Sequence, residues 1–304
     1  MEKIAIDRID IDDRRFCVSY PLSDELLRAS VQQYGILSPC LLLDLPPLVV
    51  VTGFKRMEAA RNLGFQEIPF LILQRGEREA LLTAINDNMM RGFNTVEKAL
   101  CVDKMSSAGF SSDEIQAMMP FLGLQAHDKT ATLCHAVAAS EEATKTFLLS
   151  HGITLNGAEQ LFAFDADERT GIISLLSPHR LTVSHIREIL QSLRLLTIRE
   201  GSLPLDALSG AANVEELRRR LKRRINPLMT LHEEEWVKIT HDAGFPSGME
   251  VRVDPFFEKE DVHVCLTASS EEDVEGFAAK LDGLVKDGYF RRIFELTRGL
   301  YRGN

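Results

Sequence analysis

The chain lacks any run of about 18 uninterrupted apolar residues, the length that a membrane-spanning helix requires. Its start, MEKIAIDRIDIDDRR, has no basic stretch followed by an apolar one, so a secretory leader is not indicated. A cytoplasmic location without a membrane partner is expected. Cysteine is sparse: five residues, at 17, 40, 101, 134 and 265, with no CxxC pair. Neither a disulfide framework nor a zinc site is indicated, and the thiols read as reduced and structural. The eight histidines are dispersed, and neither a Ser-His-Asp arrangement nor paired ligand histidines stand out. Positive charge is also in short supply, with 35 Lys and Arg against 45 Asp and Glu and a net charge of -10. That balance argues against nonspecific nucleic-acid binding by the whole surface, because phosphate contacts need clustered cations, but it leaves room for a local basic site.

What is present is ordinary for a globular protein of two or three domains: 304 residues, 45% hydrophobic and 26% charged. The period of the apolar residues changes along the chain. Over residues 1–94, IAIDRIDI alternates as a strand, SDELLRASVQQYG reads as a helix capped by Ser23, and SPCLLLDL and PLVVVTG read as short buried strands. KRMEAARNLG is then a helix stopped by Gly64, IPFLIL a strand and EREALLTAINDNMMRG a helix. Over residues 95–200 the strands disappear. Successive helical segments open on Ser, Thr or Asp, and several stop at Gly. Within them, SSDEIQAMMPFLGLQAHDKTATLCHAV has a helix-turn-helix outline.

Residues 201–225 read as a linker ending in a basic helix, NVEELRRRLKRRINPL, with Asn213 as cap, Glu215 and Glu216 in the first turn and cations toward the C-terminal end. Helix-dipole complementarity and solvation account for much of that layout, and a patch for a phosphate backbone, through Arg219, Lys222 and Arg223, or for an acidic partner is the other reading. Residues 226–304 read as a small α+β domain: helix TLHEEEWVKITHDAG, two strands in MEVRVDPFFEKEDVHVCLTA, helix SEEDVEGFAAKLDGLVKDG and a last short helix in YFRRIFELTRGLYRG. The fold class expected for the chain is α+β.

One stretch carries chemistry on its own. VVVTGFKRMEAARNLG runs a buried strand into Gly53 and then into a helix that opens with Lys55 and Arg56. A glycine at a helix entrance lets backbone approach a phosphate, and the amides and cations there suit its charge. An ordinary glycine turn before a solvated helix start is the alternative.

The order LLRASVQQYGILSPCLLL, VVVTGFKRMEAARNLGFQEIPFLIL, NDNMMRGFNTVEKAL resembles the N-terminal domain of the ParB family of chromosome and plasmid partition proteins. Its signatures there are a Ser-Ile helix ending in Gly before a proline strand, a Gly-Glu-Arg-Arg phosphate motif, and Glu-Asn-x-x-Arg before Asn-Pro-x-Glu-x-Ala. The likeness covers roughly residues 1–200, with residues 1–94 as the nucleotide-binding domain. It implies that CTP with magnesium closes two such domains into a clamp on DNA and that slow hydrolysis reopens it. Gly53 and Arg56 match the phosphate motif, and Lys55 replaces its first arginine. Asn88 and Arg91 match the later motif, Asp87 stands in place of its glutamate, and Asp87 with Asn88 would face the metal. Gly35 and Pro39 fall in the stretch that lines the base side.

Two departures qualify the activity. Phe54 stands where the family has the glutamate linked to hydrolysis, so slow or absent turnover is expected, a weak CTPase at most. The recognition segment HDKTATLCHAVAAS brings one fixed cation, Lys129, beside Asp128, with Thr130, Thr132, His127 and His135 as neutral contacts. Sulfiredoxin, on a related fold, needs a cysteine where Phe54 stands; free-serine kinases need a glutamate, and Glu58 reads as a solvated helix residue instead. The resemblance implies a DNA-associated partition or nucleoid protein with a homodimer held by the C-terminal domain and a partner ATPase. The alternative is a ParB-derived adaptor or transcriptional regulator that has lost specific DNA binding and acts through protein partners.

Overall fold

The computed structural model describes residues 2–299. It divides into two compact units, 1–187 and 188–304, of which each is described by itself. The first unit begins with a five-stranded sheet: β1 (Lys3–Ala5), β2 (Ile9–Asp10), β3 (Cys40–Leu43), β4 (Leu48–Thr52) and β5 (Glu67–Leu73). Their spatial order is β1-β5-β3-β4-β2, antiparallel at β1/β5 and β3/β4 and parallel at β5/β3 and β4/β2. The expected strand over IAIDRIDI is thus two strands separated by a 3-10 turn at Ile6–Arg8. They pair with different partners at the two ends of the order. Four peptide units span at most about 14 Å, whereas four flat strand spacings of about 4.8 Å exceed that. The sheet therefore curls until its edges approach.

Three helices pack on this sheet: α1 (Glu25–Tyr34), α2 (Phe54–Asn62) and α3 (Glu77–Met89). α3 lies against β4, α2 against β3, and α1 against α2. The core between them is Leu42, Val50, Val51, Ala60, Ile68, Ala80, Leu81, Ala84 and Ile85, each buried. Burying each large aliphatic side chain contributes about 1.5–3 kcal/mol. The cap of α1 is Asp24, whose carboxylate accepts from Leu27 N at 3.1 Å, not the expected Ser23. Gly64, at φ +74, ends α2: its N–H reaches Arg61 O and the next amide, of Phe65, reaches Ala60 O, the paired bonds of a left-handed helix stop.

The rest of the first unit is helical: α4 (Thr95–Ser107), α5 (Ser112–Met118), α6 (Asp128–Ala139), α7 (Glu142–Ser150), α8 (Leu155–Leu161) and α9 (Ala166–Leu176). α4 packs on α6, α7 and α5 and presents Val96, Ala99, Val102 and Met105 to the interior, a stripe at helical spacing. A 3-10 turn, Met119–Leu122, and Gly123 at φ +65 join α5 toward α6, which gives the expected outline its bend. α10 (Val183–Glu200) carries the division between the units.

The second unit continues with α11 (Leu205–Leu208), α12 (Val214–Ile225), α13 (Pro227–Ala243), β6 (Met249–Val253), β7 (Val262–Leu266), α14 (Glu271–Lys286) and α15 (Tyr289–Thr297). α13 starts at Pro227, earlier than the sequence pattern predicts, because proline is preorganised for a first helical turn. β6 and β7 pair antiparallel, and α15 packs on α13 and α14. Ile239, Val251, Ile293 and Leu296 form one buried cluster there, and Ala243, Met249, Phe277 and Leu284 another. The C-terminal part of YFRRIFELTRGLYRG beyond residue 299 lies outside the described residues. Among the described residues no helix is long and apolar enough to cross a membrane.

Candidate functional site

β4 delivers Thr52, buried, to Gly53, whose backbone is left-handed at φ 95, ψ 20, and α2 starts at the next residue. No side chain caps the first turn of α2. A Cβ at position 53 would lie 2.9 Å from Cys40 Sγ and 3.1 Å from Arg56 Nη2, so the close approach that requires glycine is made by the chain itself. The Arg56 guanidinium is folded back over this point. Its Nη1 donates to Ser38 O at 2.6 Å and to Pro39 O at 2.8 Å, tying α2 to the segment that leads into β3. Lys55 Nζ sits 3.6 Å from Asp24 Oδ2 at the start of α1. Gly35, the C-cap of α1 at φ 73, has open space around it.

Two neighbours define what this corner does not do. Phe54 is 4% exposed, with the Arg14 guanidinium 5.7 Å from its ring centroid, so it is a core anchor with no proton to move. Cys40 lies beside Gly53, but burial pushes its thiol up to about 11 despite the lowering field of Arg56. It is protonated at neutral pH and no nucleophile. Glu58 is held by Arg61 at 2.8 Å and by Arg14 at 3.5 Å.

A second group forms where α3 ends and α4 begins. Asn88 Nδ2 donates to Ala84 O at 2.8 Å, and its Oδ1 accepts from Arg91 Nε at 3.0 Å. Arg91 is bidentate to Glu97, 2.9 Å from Nη1 to Oε2 and 2.6 Å from Nη2 to Oε1. Glu97 is 0% exposed and also accepts from Tyr20 N at 3.0 Å and Asn94 N at 3.1 Å. The Tyr20 hydroxyl then donates to Glu142 on α7 at 2.7 Å. Ser19 Oγ lies 3.5 Å from Asn88 Oδ1 and from Arg91 Nη2, so residues 19 and 20 are strapped to α3, α4 and α7. Sequence reasoning missed Glu97, Ser19 and Tyr20 as parts of this network, although Asn94-x-x-Glu97 is a readable capping box. Asp87 is exposed on the last turn of α3. Among the described residues, no hydrogen bond or ion pair joins the Gly53–Arg56 corner to the Asn88–Arg91 group, and no cluster of three or more His, Cys, Asp or Glu is arranged to hold a metal.

The residues predicted to meet DNA are dispersed between two places. On α6, Lys129 is paired with Glu159 of α8 at 2.5 Å, Thr132 bonds back to Asp128 O at 2.9 Å, and Thr130 is half-buried. His135 Nδ1 lies 2.8 Å from Asp103 Oδ1. On α12, Lys222 meets Glu233 at 2.7 Å and Arg223 meets Glu234. Arg218 is shared by Glu188 and Glu215, Arg220 pairs with Glu216, and Arg224 with Glu200. Arg219 is exposed and forms no hydrogen bond or ion pair among the described residues.

No protein-family model matches the chain. Two curated relatives are similar to it. It is 24% identical over 174 residues to the "Probable chromosome-partitioning protein ParB" of Vibrio cholerae, a match spanning 56% of this chain and 58% of that one. It is 26% identical over 215 residues to the "Probable plasmid-partitioning protein ParB" of Thermus thermophilus, spanning 69% of this chain and 65% of that one. The chain thus spans about three fifths of the length of the relatives it matches. Among solved structures, C-terminally truncated ParB of Caulobacter crescentus complexed to the centromeric parS site has a TM-score of 0.34, at 18% identity, covering 63% of this chain and 99% of that one. The same protein complexed with CTP-gamma-S has a TM-score of 0.25, at 20% identity, covering 57% and 98%. Both scores are low.

Proposed function

Taking this chain as a sequence relative of the ParB partition proteins, we propose that it is a DNA-associated partition or nucleoid protein whose first unit binds CTP. The observation that carries the reading is Gly53: a left-handed glycine at the uncapped start of α2, with Arg56 beside it and Lys55 on the same turn. Backbone amides beside the Arg56 guanidinium suit a triphosphate, and Lys55, drawn to Asp24 in this structure, would turn from it to join them. In this reading Gly53, Lys55 and Arg56 hold phosphate oxygens, and Gly35 and Pro39 border the base. Asn88 and Arg91 meet the phosphate tail, and Asp87 with Asn88 holds magnesium. One carboxylate and one amide are few ligands, but magnesium is commonly held by one or two carboxylates together with substrate phosphates and water. When bound, the ion would neutralise phosphate charge.

The chain's own residues would bind and orient without cleaving. Phe54 offers no carboxylate at the corner and Cys40 no thiolate, so hydrolysis is slow or absent. A second copy of the chain, duplex DNA and a partner ATPase belong to the same reading.

A second reading, a ParB-derived adaptor or transcriptional regulator acting through protein partners, is favoured by one observation. Three of the four cations expected at DNA are engaged, Lys129 by Glu159, Lys222 by Glu233 and Arg223 by Glu234, which leaves Arg219. Calorimetry of the full chain with each nucleoside triphosphate and magnesium, with and without duplex DNA, separates them. Selective CTP binding, weakened at least about tenfold by Arg56→Ala, is expected. No heat with any of the four triphosphates would sink the nucleotide reading. CTP binding with no DNA affinity at low salt would leave the adaptor.

A further inference from the structure

The first unit holds a cavity of about 740 Å³ between the start of α4, the turn that leads from α5 to α6, and the loop that runs from α7 into α8. It shares no residue with the site read as holding CTP. A volume of that order is typical of small-molecule sites, which set a few polar groups into an apolar wall. Here Phe93, Leu124 and Leu155 supply apolar wall, and Gln125, Thr130 and Asn156 supply polar groups.

The charge of the lining is one-sided. Lys98 is its one ionisable side chain, and no carboxylate lines it. Lys98 is half-buried and forms no hydrogen bond or ion pair among the described residues. Its ammonium lies at the turn before α6, where a Cβ added at Gly123 would stand 3.2 Å from Nζ. Carboxylates on the surrounding helices are engaged elsewhere: Glu97 by Arg91, Asp128 by Gln116 at 2.8 Å and Glu159 by Lys129. The side chains of Gln125, Thr130 and Asn156 also have no hydrogen-bond partner among the described residues. No side chain caps the first turn of α6, which carries Thr130. An ammonium partly withdrawn from water attracts an anion more strongly than a fully hydrated one.

We propose that this cavity binds a small organic monocarboxylate. The carboxylate head accepts from Lys98 Nζ and from the side-chain amides of Gln125 and Asn156, and the apolar body lies against Leu124 and Leu155. One cation answers one negative charge. The second charge of a phosphate monoester would be left unpaired in a partly dehydrated place, which favours a carboxylate.

The test titrates the full chain with para-trifluoromethylbenzoate, followed by fluorine NMR, with the neutral para-trifluoromethylbenzamide as a control of matching shape. The benzoate is expected to bind at least about fivefold more tightly than the benzamide. Lys98→Met keeps the bulk of the side chain without its charge and is expected to bring the two within about twofold, with an unchanged circular dichroism spectrum. Lys98→Arg should preserve the difference. Asn156→Asp, which puts a carboxylate on the wall and leaves Lys98 in place, should weaken the benzoate and spare the benzamide. Equal binding of the pair by the natural chain, binding of neither, or a preference that survives both Lys98→Met and Asn156→Asp overturns the proposal. So does a Lys98→Met chain whose only deficit is in duplex DNA affinity, with a salt slope shallower by about one, since the ammonium would then serve a phosphate backbone.

Discussion

Gly53 is under two constraints at once, and they can be measured apart. Its φ of 95 is strained for any side chain, and a Cβ would press on Cys40 Sγ at 2.9 Å. Gly53→Ala is expected to lower the unfolding free energy by about 1–3 kcal/mol in urea titrations. Cys40→Ala should cost less in that background than in the natural chain, because it relieves the contact but not the backbone. Glu97 is the other residue on which several elements depend. Glu97→Ala leaves the amides of Tyr20 and Asn94 unanswered and frees Arg91, which is 40% exposed and can rehydrate. A loss of about 2–4 kcal/mol is expected, below the full cost of an unpaired buried charge. Proteolysis should then open the chain first near residues 19–20. The glycine was readable in the sequence because its neighbours spell strand and helix. The Glu97 network was not, because Tyr20 and Glu97 are brought together only by folding.

Among the elements, helix starts were the most legible. Asn94 with Glu97, Ser111 with Glu114, Asp165 with Glu168 and Ser270 with Asp273 all close capping boxes as their spacing implies. Asp24 was mistaken for Ser23 because either residue type caps well and only the phase of the following turn decides. The break between β1 and β2 was invisible: IAIDRIDI alternates throughout, but Ile6 N is taken by Gln66 O, after which the chain leaves β5 for β4. α12 depends on pH in a definite direction. The Glu216 carboxyl is held below its ordinary range chiefly by the Ala212 amide, and that of Glu200 chiefly by Arg224. A carboxyl whose folded value is depressed stabilises the fold above its unfolded value, near 4.5 for these groups, and that contribution is lost as pH falls through the folded one. The urea midpoint should therefore hold level from neutral pH to about 5 and fall below that. A midpoint that rises on acidification would contradict the pairing.

For the whole molecule, charge decides more than composition suggests. With Arg218, Arg220, Lys222, Arg223 and Arg224 all answered by carboxylates, α12 offers few counterion-releasing contacts to DNA. For DNA held through α12, the dependence of log affinity on log salt should have a slope of only about -1 to -2, in contrast to the steep slopes of many-contact DNA binders. A chain with two compact units should also unfold with a calorimetric enthalpy above the van't Hoff value. The α+β class and the order of most elements could be read from apolar periods. The neutralisation of the basic helix could not, because its partners Glu188, Glu200, Glu233 and Glu234 lie on other helices.

The distribution of sulfur gives the chain a practical handle. Cys17, Cys40, Cys101 and Cys134 are buried, and burial pushes each thiol upward, whereas Cys265 is exposed on β7. A maleimide dye at neutral pH should attach once per molecule, at that strand, and only denaturant should admit the remaining four. Fluorophore placement then requires no engineered site, and the stoichiometry of uptake doubles as an assay of whether the interior has stayed shut.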